Sequence, residues 1–222
     1  MNIKNRYEYE ICSDKVFTIL NFAKEFSSDN ISNQKTHRSG YNRTKIDIIF
    51  NTIIGKSGEV AFCEYLMDSG NNATVDFELL TKKEKSSNIE IWKNIVPDIK
   101  VDDISASIKS TKSNGTRYLI NSNSGWIQNY EHSSVNYFGL ARVNFPDNIK
   151  KIIQDNELKS LYSYYLKNNI KVLISGLIDK KTFFSKIKKL SDQEVKFCGR
   201  EGDDSKVMFD DIRNNECNRF KL

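Results

Sequence analysis

Two side chains of opposite charge, Asp98 and Lys109, lie on a stretch whose residue pattern brings them together. Across residues 96–110 the apolar positions are Ile99 and Val101, then Ile104, Ala106 and Ile108, with Asp102-Asp103 between the two runs. Alternation of period 2 on both sides of two turn-forming residues reads as a β-hairpin with one buried face. Folding about that turn pairs Val101 with Ile104, Lys100 with Ser105, Ile99 with Ala106 and Asp98 with Ser107. Asp98, Lys100, Ser105, Ser107 and Lys109 then share the face opposite the aliphatic residues. Opposed residues have Cβ atoms roughly 4.5–5.5 Å apart and diagonal neighbours roughly 7–8 Å, so Asp98 and Lys109 converge on one small volume. A carboxylate and an ammonium held there could bind a divalent metal and orient a water.

A second carboxylate lies upstream. Glu59 follows Gly55 and Gly58 and is flanked by Val60, Ala61 and Phe62, which places it near a core. A buried carboxylate needs a cation or hydrogen-bond donors, and a metal would supply one. Gly55-Lys56-Ser57 has the look of the end of a phosphate-binding loop, but position 50, where the first glycine belongs, is Phe. No strand–loop–helix order surrounds it, so nucleotide binding is excluded. Residues 27–45 are polar and basic: Lys35, His37, Arg38, Arg43 and Lys45 are interleaved with Asn33, Gln34, Tyr41 and Asn42. Those side chains suit phosphate contacts and base-edge hydrogen bonds. The segment is read as a DNA-contacting arm, an ordinary solvated loop being the alternative. Residues 111–117, with Lys112 and Arg117, form a second basic connection able to meet a phosphate backbone. Gln128 and Glu131 are further polar candidates.

The elements that must position these groups follow from periodicity. A helix is expected over 13–26, capped by Ser13, with Val16, Ile19, Leu20 and Ala23 on one face. A second runs over 46–67, with a break or a close helix–sheet contact where Gly55 and Gly58 interrupt it. Strands are expected over 74–80, at the hairpin, over 118–121, 137–143 and 171–178, with an edge strand over 206–209. Further helices are expected over 126–132, 147–166 and 180–190. This order predicts an α/β (α+β) domain, a central mixed sheet flanked by helices. One domain spans 1–222: a core over 46–190, a helix and basic arm over 1–45, and a polar C-terminal segment over 191–222.

Composition narrows the classes. A hydrophobic share of 38% with 28% charged residues describes a soluble globular protein, and no apolar run approaches the ~20 residues of a membrane span. The N-terminus lacks the apolar core of a signal peptide, which predicts a cytoplasmic protein. Cys12, Cys63, Cys198 and Cys217 form no Cys-x-x-Cys, which argues against a zinc site or a disulfide framework. His37 and His132 are the only histidines, so histidine-based metal sites are disfavoured. Thirty-four basic against 29 acidic residues leave a net charge of +5, which permits a polyanionic partner.

A helical Glu59, then Pro97-Asp98, then a strand ending Ser107-Ile108-Lys109 resembles the PD-(D/E)XK nuclease superfamily, which includes many type II restriction endonucleases. The likeness covers roughly residues 55–111. It implies a restriction-endonuclease-like core and Mg²⁺-dependent hydrolysis of phosphodiester bonds. Asp98 and Glu59 would ligate the metal together with the backbone carbonyl of Ile108. Lys109 would orient the attacking water and stabilise the pentavalent phosphorus, an electrostatic role. Ser107 departs from the pattern, because the family usually carries Asp or Glu there. Some restriction enzymes of the superfamily are similar in having Ser at that place, the missing carboxylate coming from a helix. Glu59 would take that role, ahead of Glu131 and Asp76. The resemblance thus implies a type II enzyme that cuts double-stranded DNA as a homodimer on a palindrome. The alternatives are a phage or repair nuclease of the same fold, a DNA-binding protein that has lost catalysis, and a protein-interaction module.

Overall fold

The computed structural model of the chain describes residues 7–29, 44–68, 70–75, 97–101, 104–112, 118–120, 131–145, 149, 151–152, 158–168, 170–189, 191, 193 and 207–209. In chain order the elements are β1 (Tyr7–Glu10), α1 (Ser13–Asp29), α2 (Lys45–Asp68), β2 (Thr74–Val75), β3 (Ile99–Val101), β4 (Ile104–Lys112) and β5 (Tyr118–Ile120). There follow β6 (Tyr137–Asn144), α3 (Leu158–Lys167), β7 (Lys171–Asp179), α4 (Lys180–Lys186), β8 (Lys188–Lys189) and β9 (Val207–Phe209). Helices accompany a mixed sheet, the α+β class expected from the sequence. Six strands are ordered β1-β7-β6-β4-β3-β2, and a small sheet is ordered β5-β9-β8. Among the described residues no helix is long and apolar enough to cross a membrane.

Helix α2 has clear chemical limits. Thr44 and Asp47 form a reciprocal cap: the Asp47 amide donates to Thr44 Oγ1 at 3.1 Å, and the Thr44 amide donates to Asp47 Oδ2 at 3.1 Å. This satisfies amides that have no intrahelical acceptor. At the other end Gly70 has φ 90°, a conformation that costs a side chain-bearing residue strain, and its amide bonds the Met67 carbonyl at 2.9 Å. The Asn71 amide closes the turn on the Leu66 carbonyl at 3.0 Å. Between these stops the helix is buried on several sides, through Ile48, Phe50, Ile53, Ile54, Phe62 and Leu66 among others. The helix runs through Gly55 and Gly58 without interruption. Of the two expectations there, the close contact is what forms, because a Cβ on Gly58 would meet Ser110 Oγ at 2.0 Å and Ala141 Cβ at 2.9 Å.

Two compact units emerge from the packing: residues 1–79, 110–115 and 141–174 in the first, and residues 80–109, 116–140 and 175–222 in the second. In the first, α1 buries Val16, Ile19, Leu20 and Ala23, the face expected from its periodicity. Phe50 and Phe145 approach at 5.9 Å, and Phe145 and Tyr165 at 6.0 Å, within the same unit. The N-terminal strand pairs antiparallel with the first half of β7, from Tyr7 against Ile174 to Glu10 against Lys171. In the second unit the hairpin has the expected register: Ile99 faces Ala106, Lys100 faces Ser105 and Val101 faces Ile104. Its aliphatic face, Ile99, Val101, Ile104, Ala106 and Ile108, is buried. Phe138 and Phe183 stack at 4.1 Å in the interior of this unit.

Several boundaries differ from expectation. Helix α1 extends to Asp29, and the Cys12 carbonyl, not the Ser13 side chain, takes the first helical amide bond, from Val16. Strand β1 was not expected, although Tyr7-Glu-Tyr-Glu10 alternates. Thr111 and Lys112 continue β4 and do not form a free connection. The last helix stops at Lys186 because Ile187 is extended (φ −66°, ψ 132°) and the chain enters β8. Val207–Phe209 lies at the centre of the small sheet, bonded on both sides, and not at an edge. Residues 76–96 and 121–130 lie outside the described residues, and with them most of the strand expected over 74–80, Asp76 and Gln128.

Candidate active site

Asp98 occupies a bend immediately before β3, and Pro97 ahead of it is buried. The ladder does not carry on to it in the expected pairing with Ser107. Its amide donates instead to the Ala106 carbonyl at 2.9 Å. The side chain then closes on the facing strand: Asp98 Oδ2 accepts the Ile108 amide at 2.6 Å and the Ser107 hydroxyl at 3.2 Å. The short bond is a charge-assisted one, in which an anionic acceptor draws the amide closer than a neutral carbonyl would. Asp98, Ser107 and Ile108 are therefore brought together, through side chain and backbone.

Ile108 adds a carbonyl to this set. A strand residue that exchanges bonds with its neighbour does so through N–H and C=O on the same edge. The Ile108 amide is on the Asp98 edge, so its carbonyl is on that edge too. Lys109 follows and is exposed, while Ser107 is only 2% exposed. The donor chemistry, a carboxylate with a backbone carbonyl, suits a hard cation such as Mg²⁺, which takes one or two carboxylates and completes its octahedron with water and phosphate oxygens. Among the described residues there is no group of three or more His, Cys, Asp or Glu side chains able to share a metal.

Glu59 stands in the first unit, in the interior of α2, and is 8% exposed. Burial was expected; its cation is a neighbour on the same helix. Lys56 Nζ lies 2.7 Å from Glu59 Oε2, and the ammonium sits 4.9 Å from the centroid of the Phe22 ring of α1. The i,i+3 spacing places both side chains on one helix face, a signal present in the sequence that points to Lys56. Lys15 of α1 pairs with Glu64 of α2. Cys63, one turn from Glu59, has its thiol pushed up to about 12, by burial first and by the Glu59 carboxylate second. A negative charge there would be costly, so this cysteine is a core residue.

The remaining candidates divide. Lys45 begins α2 and is exposed, so it belongs to a helix and not to a loop. Lys112 ends β4, and Glu131 is exposed in the second unit. Lys35, His37, Arg38, Arg43 and Arg117 lie outside the described residues. Periodicity gave no hint of Ser110, whose hydroxyl donates to the Gly55 carbonyl of α2 at 3.2 Å. No family model, curated protein or solved structure matches the chain.

Proposed function

We propose that the chain is a Mg²⁺-dependent DNA endonuclease of the PD-(D/E)XK kind, a type II restriction enzyme cutting a specific duplex site as a homodimer. The observation that carries the reading is the Asp98 carboxylate closed onto the Ser107 hydroxyl and the Ile108 amide, one residue before Lys109. Asp98 and the Ile108 carbonyl would hold the metal, with Glu59 as the second carboxylate. When bound, the metal would polarise the phosphate and lower the pKa of its water. The ammonium of Lys109 would stabilise the negative charge developing on the oxygens of the pentavalent phosphorus. Lys35, His37, Arg38, Arg43, Lys45, Lys112 and Arg117 are the proposed DNA contacts, and the protein acts in the cytoplasm.

Incubation of the purified protein with plasmid or phage DNA tests this. Cleavage is expected with Mg²⁺ and absent with EDTA, and Asp98→Ala and Lys109→Ala are each expected to abolish it while leaving the fold intact. Full cleavage by either variant would remove that residue from the site. A second reading, a DNA-binding protein that keeps the fold without catalysis, is favoured by Ser107 in place of a carboxylate and by the occupation of Glu59 by Lys56. DNA retardation in a gel by a wild-type protein inert with both Mg²⁺ and Mn²⁺ would establish that reading over the first.

A further inference from the structure

In the first unit, α2 approaches β4 closely where Gly55 and Gly58 meet Ser110. Gly58 leaves no room for a side chain: an added Cβ would lie 2.0 Å from Ser110 Oγ and 3.1 Å from Ser110 Cβ. The space that a Cβ would fill is taken by the Ser110 hydroxyl, which reaches past it to donate to the Gly55 carbonyl at 3.2 Å. In an α-helix the carbonyl of residue 55 is the acceptor for the amide of residue 59. Ser110 therefore bonds the same carbonyl that anchors the backbone of Glu59. Ser110 is also the residue after Lys109 on β4.

A neutral hydroxyl on a carbonyl that already has a helical partner adds little net stability. Its larger effect is geometric. With glycine at 58 the helix could slide along the strand or settle closer to it, and a hydroxyl reaching into the gap selects one position. We propose that Ser110 is a positioning residue: together with Gly55 and Gly58 it fixes the turn of α2 that carries Glu59 against β4. The proposal rests on the nuclease reading, in which the Glu59 carboxylate must be held to within a fraction of an ångström.

The test is Ser110→Ala, a substitution that removes one oxygen and adds nothing. Thermal unfolding is expected to stay close to that of the wild type. With Mg²⁺ and plasmid DNA, kcat is expected to fall by about tenfold or more with KM unchanged, because misplacement of a reacting group by about 1 Å costs on the order of 10² in rate. Without DNA, the affinity for Mn²⁺ alone, read by electron paramagnetic resonance, is expected to fall in parallel. Unchanged kcat and Mn²⁺ affinity, or a loss of activity that merely follows a loss of folded protein, overturns the proposal and leaves the nuclease reading standing. A wild-type protein that neither cleaves DNA nor binds Mn²⁺ overturns both.

Discussion

Ser107 has lost nearly all contact with solvent, yet it sits on the face of the hairpin opposite the aliphatic residues. Its hydroxyl is used: it donates to Asp98 Oδ2 at 3.2 Å, beside the much shorter bond from the Ile108 amide. Ser107 is thus more than a spacer between Ala106 and Ile108, and it restrains the Asp98 carboxylate from a second direction. Hydrogen bonds to charged groups contribute about 1.5–3 kcal/mol, and the length of this one places it at the low end. Ser107→Ala is expected to cost about 1.5 kcal/mol in urea unfolding and to reduce cleavage, since Asp98 gains a torsional freedom it now lacks. Unchanged stability and rate would return Ser107 to the status of a spacer. At this scale the sequence was readable wherever a pattern repeats: the register of Ile99, Lys100 and Val101 follows from alternation about Asp102-Asp103. It was not readable where a side chain replaces the main chain. Nothing in residue order shows that the Asp98 carboxylate bonds the Ile108 amide, whereas the i,i+3 spacing of Lys56 and Glu59 is a signal that could have been read.

Helix α4 shows how one residue can decide where an element begins. Asp179 ends β7 in an extended conformation, and its Oδ1 accepts the Thr182 amide at 2.9 Å while its Oδ2 accepts the Thr182 hydroxyl at 2.6 Å. Burial pushes the Asp179 carboxyl up, but the Thr182 hydroxyl and the amides at the helix start together hold it below the usual carboxylate range. A carboxyl held low when folded stabilises the protein above the pKa of the unfolded chain, and that contribution is lost as pH falls through the folded value. Asp179→Ala is expected to cost about 1 kcal/mol at pH 7. The gap between variant and wild type is expected to close as pH drops below ~4, where the ordinary carboxylate range ends. Urea titrations at several pH values measure it, and a gap independent of pH would mean that the cap works without its charge. The limits of this helix also show why elements were only partly legible. Its start was readable at the Asp-Lys junction, whereas its end at Lys186 depends on Lys188 and Lys189 pairing with β9, some 20 residues later in the chain. Long buried strands such as β6 and β7 were readable because their apolar runs need no partner to be noticed, while the short Tyr-Glu-Tyr-Glu of β1 gains its strand character from β7.

At the level of the whole chain, the mixture of helices and sheet followed from the order of periodic segments, and that class is what forms. Its division into two compact units was not legible, because each of the strands β4, β6 and β7 contributes residues to both. Charge is the other property that belongs to the whole molecule. A surplus of +5 spread over 222 residues is too small to bind a polyanion by itself, so the proposed DNA affinity would have to come from basic residues gathered where they can act together. Lys35, Arg38, Arg43, Lys45, Lys112 and Arg117 are six permanent positive charges in or beside the basic stretches. If each neutralises one phosphate, the counterions released give a plot of log K against log salt with a slope of about −5. Fluorescence anisotropy with a labelled duplex, Ca²⁺ in place of Mg²⁺ to hold cleavage off, and stepped KCl measures that slope. Arg38→Ala is expected to weaken binding to all duplexes alike and to flatten the slope by about 1, as a phosphate contact does, whereas a base contact would relax sequence preference. A binding constant insensitive to salt would show that these charges do not meet a phosphate backbone. DNA binding absent at every salt concentration would make the protein-interaction module the better account of the chain.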